Sequence, residues 1–169
     1  RTVLRRAGGP RAAAPAPEAV ERLSARAVLV PAPVAREKWS PDGGTIEFVH
    51  PGRSGSIRTN DPALRAALLA LYEARPAALP FATLWERVSE SLSGSGHPWP
   101  RTPEETRAAL GASLLRLFVA DFVELHVRPP RPVPEAAERP FGSPLARRQA
   151  ANGRLVTCLL RRQVELDEL

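Results

Sequence analysis

Apolar residues recur every three or four positions in three successive stretches of the chain, which is the spacing of one buried helix face. The first stretch begins at Asp61-Pro62, where an acidic N-cap precedes a proline at the first helical position. We expect this helix to end at about Ala74. The second stretch begins at Phe81, after two prolines, and ends in the Ser-Gly-Ser-Gly sequence at 93–96. Both patterns predict amphipathic helices on a common core.

The third stretch has the clearest start signal in the chain. Thr102, Pro103 and Glu105 supply an N-cap, a proline at the first helical position and the glutamate of a capping box. From Phe122 to Val127 the apolar period changes from about 3.6 to about 2, which predicts a strand. Three helices followed by a strand indicate a helix-turn-helix core with a wing.

The segments around this core predict short strands and short helices. Residues 18–25 indicate a short helix or turn, and the prolines in 27–34 confine that apolar stretch to a short or edge strand. Residues 45–49 and 57–59 predict a hairpin. Downstream, the proline-rich stretch 128–140 predicts a linker or strap. After it, Ser143-Pro144 starts a short helix and 155–160 predicts a buried strand.

These elements predict an α+β fold: a winged-helix-like core of three helices plus a β-wing, with an N-terminal β-hairpin and a C-terminal helix-strand extension. Winged helices bind DNA, dimerise or pack against neighbouring domains, so the fold alone does not name a function. The expected segments are the end of a preceding regulatory region at 1–44, the winged-helix-like domain at 45–128, a proline-rich strap or linker at 129–142, and the helix-strand extension at 143–169, where a further, truncated element begins.

The amino-acid composition excludes some classes of site but does not identify a function. The net charge is +6, and Lys38 is the only lysine. An excess of arginine, alanine and proline is first a signature of a GC-rich coding sequence, and only second of selection for phosphate or carboxylate recognition. Cys158 is the only cysteine, which excludes an intramolecular disulfide and a thiolate zinc site. No apolar stretch approaches the roughly 18 residues of a membrane span. We expect a cytoplasmic, bacterial-type protein, and the absence of methionine suggests a piece of a longer chain.

A motif near the C-terminus carries a family resemblance. It comprises Ser143-Pro144-Leu145-Ala146-Arg147-x-Gln149-Ala150, then Gly153, Val156-Thr157 and Val164-x-Leu166-Asp167. The motif resembles the region C-terminal to the catalytic domain in bacterial class I S-adenosylmethionine-dependent methyltransferases that carry a methyltransferase regulatory domain. The rickettsial outer-membrane-protein lysine methyltransferases belong to the same broad group. The sequences at 1–4 and 57–62 look similar to the end of that regulatory region and the winged-helix-like domain after it.

The chain departs from the family pattern at two places and lacks its cofactor motif. Cys158 stands where the family has asparagine, and Arg161-Arg162 stand near a usual histidine. No glycine-rich G-x-G-x-x-G strand end occurs in the chain. The resemblance therefore implies a non-catalytic regulatory or substrate-positioning part of a methyltransferase. S-adenosylmethionine is expected only in a separate catalytic domain, and this part is expected to hold no cofactor.

The partner that the resemblance implies is the chain's own methyltransferase catalytic domain or a protein substrate. We expect no membrane partner, and nucleic acid is disfavoured as a partner. Trp99, between two prolines, either anchors a partner or folds back as a lid on the helices, and the lid is favoured. The arginines near the C-terminus either hold an acidic surface or are ordinary exposed side chains. The candidate docking surface consists of Arg139, Arg147, Arg148, Arg161, Arg162 and Trp99.

A DNA-binding domain of a transcriptional regulator is the alternative function. The third helix would read the major groove, but its first turn carries Glu104 and Glu105, which phosphate repels. Arg107 and Arg116 are nine positions apart and so lie on roughly opposite faces. A continuous positive surface across Arg107, Arg116 and Arg128 would instead favour DNA binding.

The sequence offers no catalytic or metal-binding constellation. His50, His97 and His126 are far apart, and no second ligand accompanies any of them at metal-ligand spacing. Neither His50 nor His126 stands near a serine in a nucleophile-elbow context. We therefore expect structural or surface histidines.

Overall fold

The computed structural model describes residues 16–32, 44–52, 54–94, 99, 101–129, 142–158 and 163–166. A 3-10 helix (Pro17–Arg22) opens the described chain. The helices are α1 (Pro62–Glu73), α2 (Phe81–Gly94), α3 (Pro103–Val119) and α4 (Pro144–Ala150). The strands are β1 (Ser24–Ala27), β2 (Val30–Pro31), β3 (Ile46–Val49), β4 (Ser56–Thr59), β5 (Leu79–Pro80), β6 (Val123–His126), β7 (Leu155–Thr157) and β8 (Gln163–Glu165). The fold is therefore α+β, as the apolar pattern predicts.

The predicted helix starts are confirmed by their capping hydrogen bonds. The Asp61 carboxylate accepts from the Leu64 backbone N–H at 2.9 Å. Thr102 Oγ1 accepts from the Glu105 N–H at 3.2 Å, and Glu105 Oε2 accepts from the Thr102 N–H at 3.1 Å, which completes the capping box. These side chains satisfy backbone donors that helix geometry leaves unpaired.

The first sheet has the order β5-β1-β6, with β1 antiparallel to both neighbours. The sequence predicts β6 and a short helix or turn at 18–25. The 3-10 helix ends at Arg22, and Ser24 and Ala25 belong to β1 instead, a strand that the sequence does not predict. Residues 24–27 read Ser-Ala-Arg-Ala, which contains no β-branched or aromatic strand former, yet all four residues are buried. This segment is a strand because two distant parts of the chain pair with it, and no local signal reports such pairing.

The second sheet has the order β2-β3-β4 and contains the predicted hairpin. Strands β3 and β4 pair antiparallel with Ile46 opposite Thr59 and Phe48 opposite Ile57. Strand β2 is an edge strand, as the prolines near it predict.

One hydrophobic core joins the first sheet, the second sheet and helices α1 to α3. Val20 of the 3-10 helix and Leu29 belong to the same cluster as Leu84 and Leu114. The segment boundaries proposed at 44/45 and 128/129 stay predictions. No helix of the described chain combines the length and apolarity that crossing a bilayer requires.

The C-terminal extension is a small unit of α4, β7 and β8, and it corrects one prediction. Its two strands pair antiparallel with Val156 opposite Val164. The sequence predicts a buried strand at 155–160, but within the described part only Val156 is buried and Leu155 is 58% exposed. A hairpin with one short helix has too few layers to cover both strand faces. Most of the predicted strap at 129–142 lies outside the described residues.

Candidate functional site

The first sheet carries a partly buried charged cluster that consists of Arg26, Glu124 and His126. Arg26 donates from Nη2 to Glu124 Oε2 at 2.6 Å and from Nε to the same oxygen at 3.1 Å. His126 Nε2 lies 3.2 Å from that oxygen. The Arg26 side chain is 6% exposed, and those of Glu124 and His126 are 22% and 23% exposed. Two side chains, Arg26 and His126, thus converge on one carboxylate oxygen of Glu124.

Strand geometry assembles this cluster. Arg26 stands directly opposite Glu124 in the β1–β6 register, and cross-strand partners share one face of a sheet. His126 follows Glu124 by two positions and therefore points to the same face. The sequence analysis did not identify the Glu124–His126 contact. The Glu-x-His spacing on a predicted strand is a signal that could have revealed it, because residues two apart on a strand share a face.

The environment of Glu124 keeps its carboxylate ionised. Burial raises the pKa of Glu124, but the hydrogen bond and charge of Arg26, followed by the charge and hydrogen bond of His126, outweigh that effect and lower it. Ser24 lies opposite His126 in the register. Among the described side chains, however, no hydrogen bond joins these two, so a serine-histidine-glutamate nucleophile is not assembled. The cluster acts as a fixed ion pair that holds β1 against β6.

A second cluster surrounds Arg107 of α3. Its guanidinium donates to Glu21 Oε2 at 2.8 Å and lies 5.5 Å from the Phe81 ring centre and 6.0 Å from that of Trp85. The hydrogen bond from Arg107 lowers the pKa of Glu21, burial opposes it, and the arginine charge reinforces the lowering. Arg107 is therefore engaged within the fold, which does not favour a continuous positive face for DNA.

Trp99 takes the position that the lid interpretation predicts. Its ring meets the Trp85 ring edge-on, with centroids 5.8 Å apart and an interplanar angle of 70°. It is partly buried against the core. Trp99 thus covers α2, next to the Arg107 cluster.

Trp99→Ala is expected to lower the free energy of unfolding by about 1–3 kcal/mol, because it removes an aromatic pair and buried apolar area. Denaturant unfolding followed by far-UV circular dichroism measures the loss. Trp99→Phe is the matched control, since it keeps a ring against Trp85. A Trp99→Ala variant as stable as the wild type would contradict the lid assignment and favour the partner-anchor alternative.

The remaining candidate docking residues divide between described and undescribed parts of the chain. Arg147 and Arg148 are exposed on α4, whereas Arg139, Arg161 and Arg162 lie outside the described residues.

The Gln149 side chain connects α4 to β7, because its Oε1 accepts from the Thr157 N–H at 2.7 Å and its Nε2 lies 3.1 Å from Thr157 Oγ1.

Exposed apolar side chains accompany the two arginines in the α4–β7–β8 unit. Leu145 is 55% exposed, Leu155 58% and Val164 44%. Arg154 is also exposed in this unit. Apolar side chains beside exposed arginines have the composition of a protein-binding surface.

Metal-binding geometry does not occur in the part of the chain that the structure describes. No group of three or more histidine, cysteine, aspartate or glutamate side chains there is arranged to hold a metal ion. Cys158 is half-buried and unpaired with another cysteine.

Comparisons with known proteins show that this chain is similar in fold to two solved structures. No family model matches the chain, and no curated protein matches it. Two structures of PKMT2 from Rickettsia typhi are similar, one of them in complex with AdoHcy. The TM-score is 0.65 for both, with identities of 16% and 14% over 89% of this chain. The chain spans only 29% and 30% of those two chains. This protein therefore shares the fold of a part, under one third, of a rickettsial methyltransferase.

Proposed function

We propose that this chain is a non-catalytic module of an S-adenosylmethionine-dependent methyltransferase, and that it positions or regulates the catalytic domain or helps to select a protein substrate. The observation that carries the proposal is the likeness of 89% of the chain to a limited part of PKMT2. The lack of a nucleotide-binding glycine motif in the sequence agrees with a role outside catalysis.

The element order supports a winged-helix-like description of the core. Helix α1, strand β5, helices α2 and α3, and strand β6 follow one another along the chain, and β5 and β6 belong to one sheet. Strand β1 lies between β5 and β6 in this sheet. In a winged helix, the second strand of the wing hairpin would occupy that position. A core of this kind can serve several functions, and packing against another domain is one of them.

We assign the docking contact to the α4–β7–β8 unit. It exposes three arginines, Arg147, Arg148 and Arg154, against one acidic residue of its described part, Glu165. The excess of positive charge and the exposed Leu155 favour a partner surface that is apolar at its centre and acidic at its rim. A second copy of the same unit would bring like charges together, which disfavours self-association.

The double substitution Arg147→Glu and Arg148→Glu tests this assignment in the full-length gene product. Charge reversal at a docking rim weakens association, so methyl transfer to a protein acceptor is expected to fall by about fivefold or more, and the loss should shrink at high salt. Initial rates with labelled S-adenosylmethionine measure the effect.

The matched control is Arg87→Glu with Arg116→Glu, which changes the net charge equally at exposed positions of α2 and α3. It is expected to leave the rate unchanged. Equal methyl-transfer rates for the wild type and the Arg147/Arg148 variant would show that α4 does not take part in docking. Equal losses in both double variants would show that net charge, and not this surface, matters.

A further inference from the structure

The α4–β7–β8 unit has almost no core of its own. No residue of α4 is buried, and all three residues of β8 are exposed. Within 142–158 and 163–166, the described part of the unit, Val156 is the one buried residue. The common hydrophobic core takes its members from residues 20–125 and includes none of these positions. The unit therefore gains little free energy from apolar burial.

The β7–β8 hairpin has one covered face and one open face. Val156 stands opposite Val164 in the register, and the burial of Val156 marks the covered face. Leu155 and Glu165, which form the neighbouring cross-strand pair, point to the other face, because successive side chains alternate along a strand. Leu155 is 58% exposed on this open face. A single helix covers only one face of a hairpin, so α4 leaves the open face to solvent.

A unit of this size needs stabilisation from outside itself. An isolated two-stranded hairpin is at best marginally stable in water, and chains shorter than about 40 residues usually require a disulfide, a metal or a partner. Cys158 is the only cysteine, so no intramolecular disulfide can supply that stabilisation. The unit keeps four apolar side chains exposed, those of Leu145, Leu155, Val164 and Leu166. Covering them is the largest gain open to the unit.

The charges of the unit indicate what kind of surface covers the open face. Arg147, Arg148 and Arg154 are exposed, against the single acidic residue Glu165 among the described positions of the unit. A surface that is apolar opposite Leu155 and acidic around it complements this pattern, whereas a second copy of the unit brings like charges together. The complementary surface therefore belongs to a different domain.

We propose that the α4–β7–β8 unit folds as it docks, and that the surface which covers its open face belongs to the methyltransferase catalytic domain. The inference rests on the function proposed above and deepens it, because the docking contact becomes a coupled folding step. The described conformation is the docked one. Ordering the unit uses part of the interaction free energy, so the strength of docking responds to small changes in the stability of the unit.

Hydrogen–deuterium exchange of the 169-residue chain and of the full-length gene product tests the coupling. Two backbone amides of the unit are suitable reporters. The Thr157 N–H donates to Gln149 Oε1 at 2.7 Å, and the Leu166 N–H donates to the Arg154 carbonyl at 2.8 Å. Peptides that contain these amides are expected to exchange at least about tenfold faster in the 169-residue chain than in the full-length product.

Peptides from the common core provide the internal control. The Val28 N–H donates to the Phe122 carbonyl at 3.1 Å and the Phe81 N–H to the Leu23 carbonyl at 3.0 Å, and both amides should be equally protected in the two proteins. Strong protection of the unit in both proteins would overturn coupled folding and leave the docking assignment intact. Rapid exchange of the unit in both proteins would overturn the inference, because the catalytic domain then does not cover the unit. Failure of the proposed function itself is read separately, from the methyl-transfer rates of the charge-reversed variants.

Leu155→Asp provides a second measurement. A charge on the face that docking buries opposes docking, so exchange of the unit in the full-length product is expected to rise by about tenfold or more. In the 169-residue chain, where Leu155 faces solvent, the change should stay within about twofold. Val127→Asp is the matched control, since Val127 is 82% exposed and lies outside the unit. Unchanged exchange for Leu155→Asp in the full-length product would contradict the proposal.

Discussion

Glu124→Gln is expected to lower the free energy of unfolding by about 3 kcal/mol, because it leaves Arg26 buried without a counter-charge. The Arg26 side chain is 6% exposed, and its guanidinium donates two hydrogen bonds to Glu124 Oε2. A neutral amide oxygen accepts these bonds more weakly than a carboxylate. Urea unfolding of the wild type and the variant measures the difference.

Glu47→Gln is the matched control for this experiment. Glu47 also bonds an arginine across an antiparallel pair, Arg58 at 3.4 Å, but the Arg58 side chain is 71% exposed. Exposed ion pairs contribute little, so little or no loss is expected. Equal losses of unfolding free energy for Glu47→Gln and Glu124→Gln would contradict the conclusion that the Arg26–Glu124 ion pair stabilises the pairing of β1 with β6.

The Glu124 effect should also depend on pH in one direction. The pKa of Glu124 is lowered in the folded state from its ordinary value of 4.5. Its stabilisation is therefore fully present above that ordinary value and is lost as the pH falls through the folded pKa. The difference in stability between wild type and Glu124→Gln should shrink below about pH 4.5.

Leu29→Ala is expected to lower the free energy of unfolding by about 2–5 kcal/mol, which is the usual range for a fully buried leucine. Leu29 is 0% exposed and belongs to the same core as Leu68 and Leu114. It lies within 1–44, the segment that the sequence assigns to a preceding region. Since its contacts are with the common core, wild type and variant should each unfold in one transition.

Val127→Ala is the control, since Val127 is 82% exposed, and its effect should stay within about 0.5 kcal/mol. Fluorescence and circular dichroism should report coincident unfolding curves. A separate low-stability transition that alone responds to Leu29→Ala would show that the N-terminal segment folds as its own unit and would support the division at 44/45.

The features that local chemistry determines could be predicted from the sequence. Asp61 and Thr102 mark helix starts because their side chains bond to nearby N–H groups, and nothing distant is needed. The β3–β4 hairpin follows from two apolar stretches separated by turn residues. The Trp99 position was predictable in part, because a tryptophan between prolines in a short loop lies close to the helices it connects.

The features that depend on distant pairing could not be predicted. Strand β1 forms because β5 and β6 reach it, and residues 24–27 alone do not indicate a strand. The burial of Arg26 depends on Glu124, which is 98 positions away. The Arg107–Glu21 contact likewise joins positions 86 residues apart. Such contacts can be anticipated only once the register of the sheet is known.

The most direct test of the proposed module is a comparison of methyl transfer by the full-length gene product with and without residues 16–166. The account predicts that the shortened protein binds S-adenosylmethionine with unchanged affinity in a calorimetric titration but methylates its protein acceptor at least about tenfold more slowly. Transfer at an unchanged rate would contradict a positioning or regulatory role. Binding of S-adenosylmethionine by the 169-residue chain alone would contradict its assignment as non-catalytic.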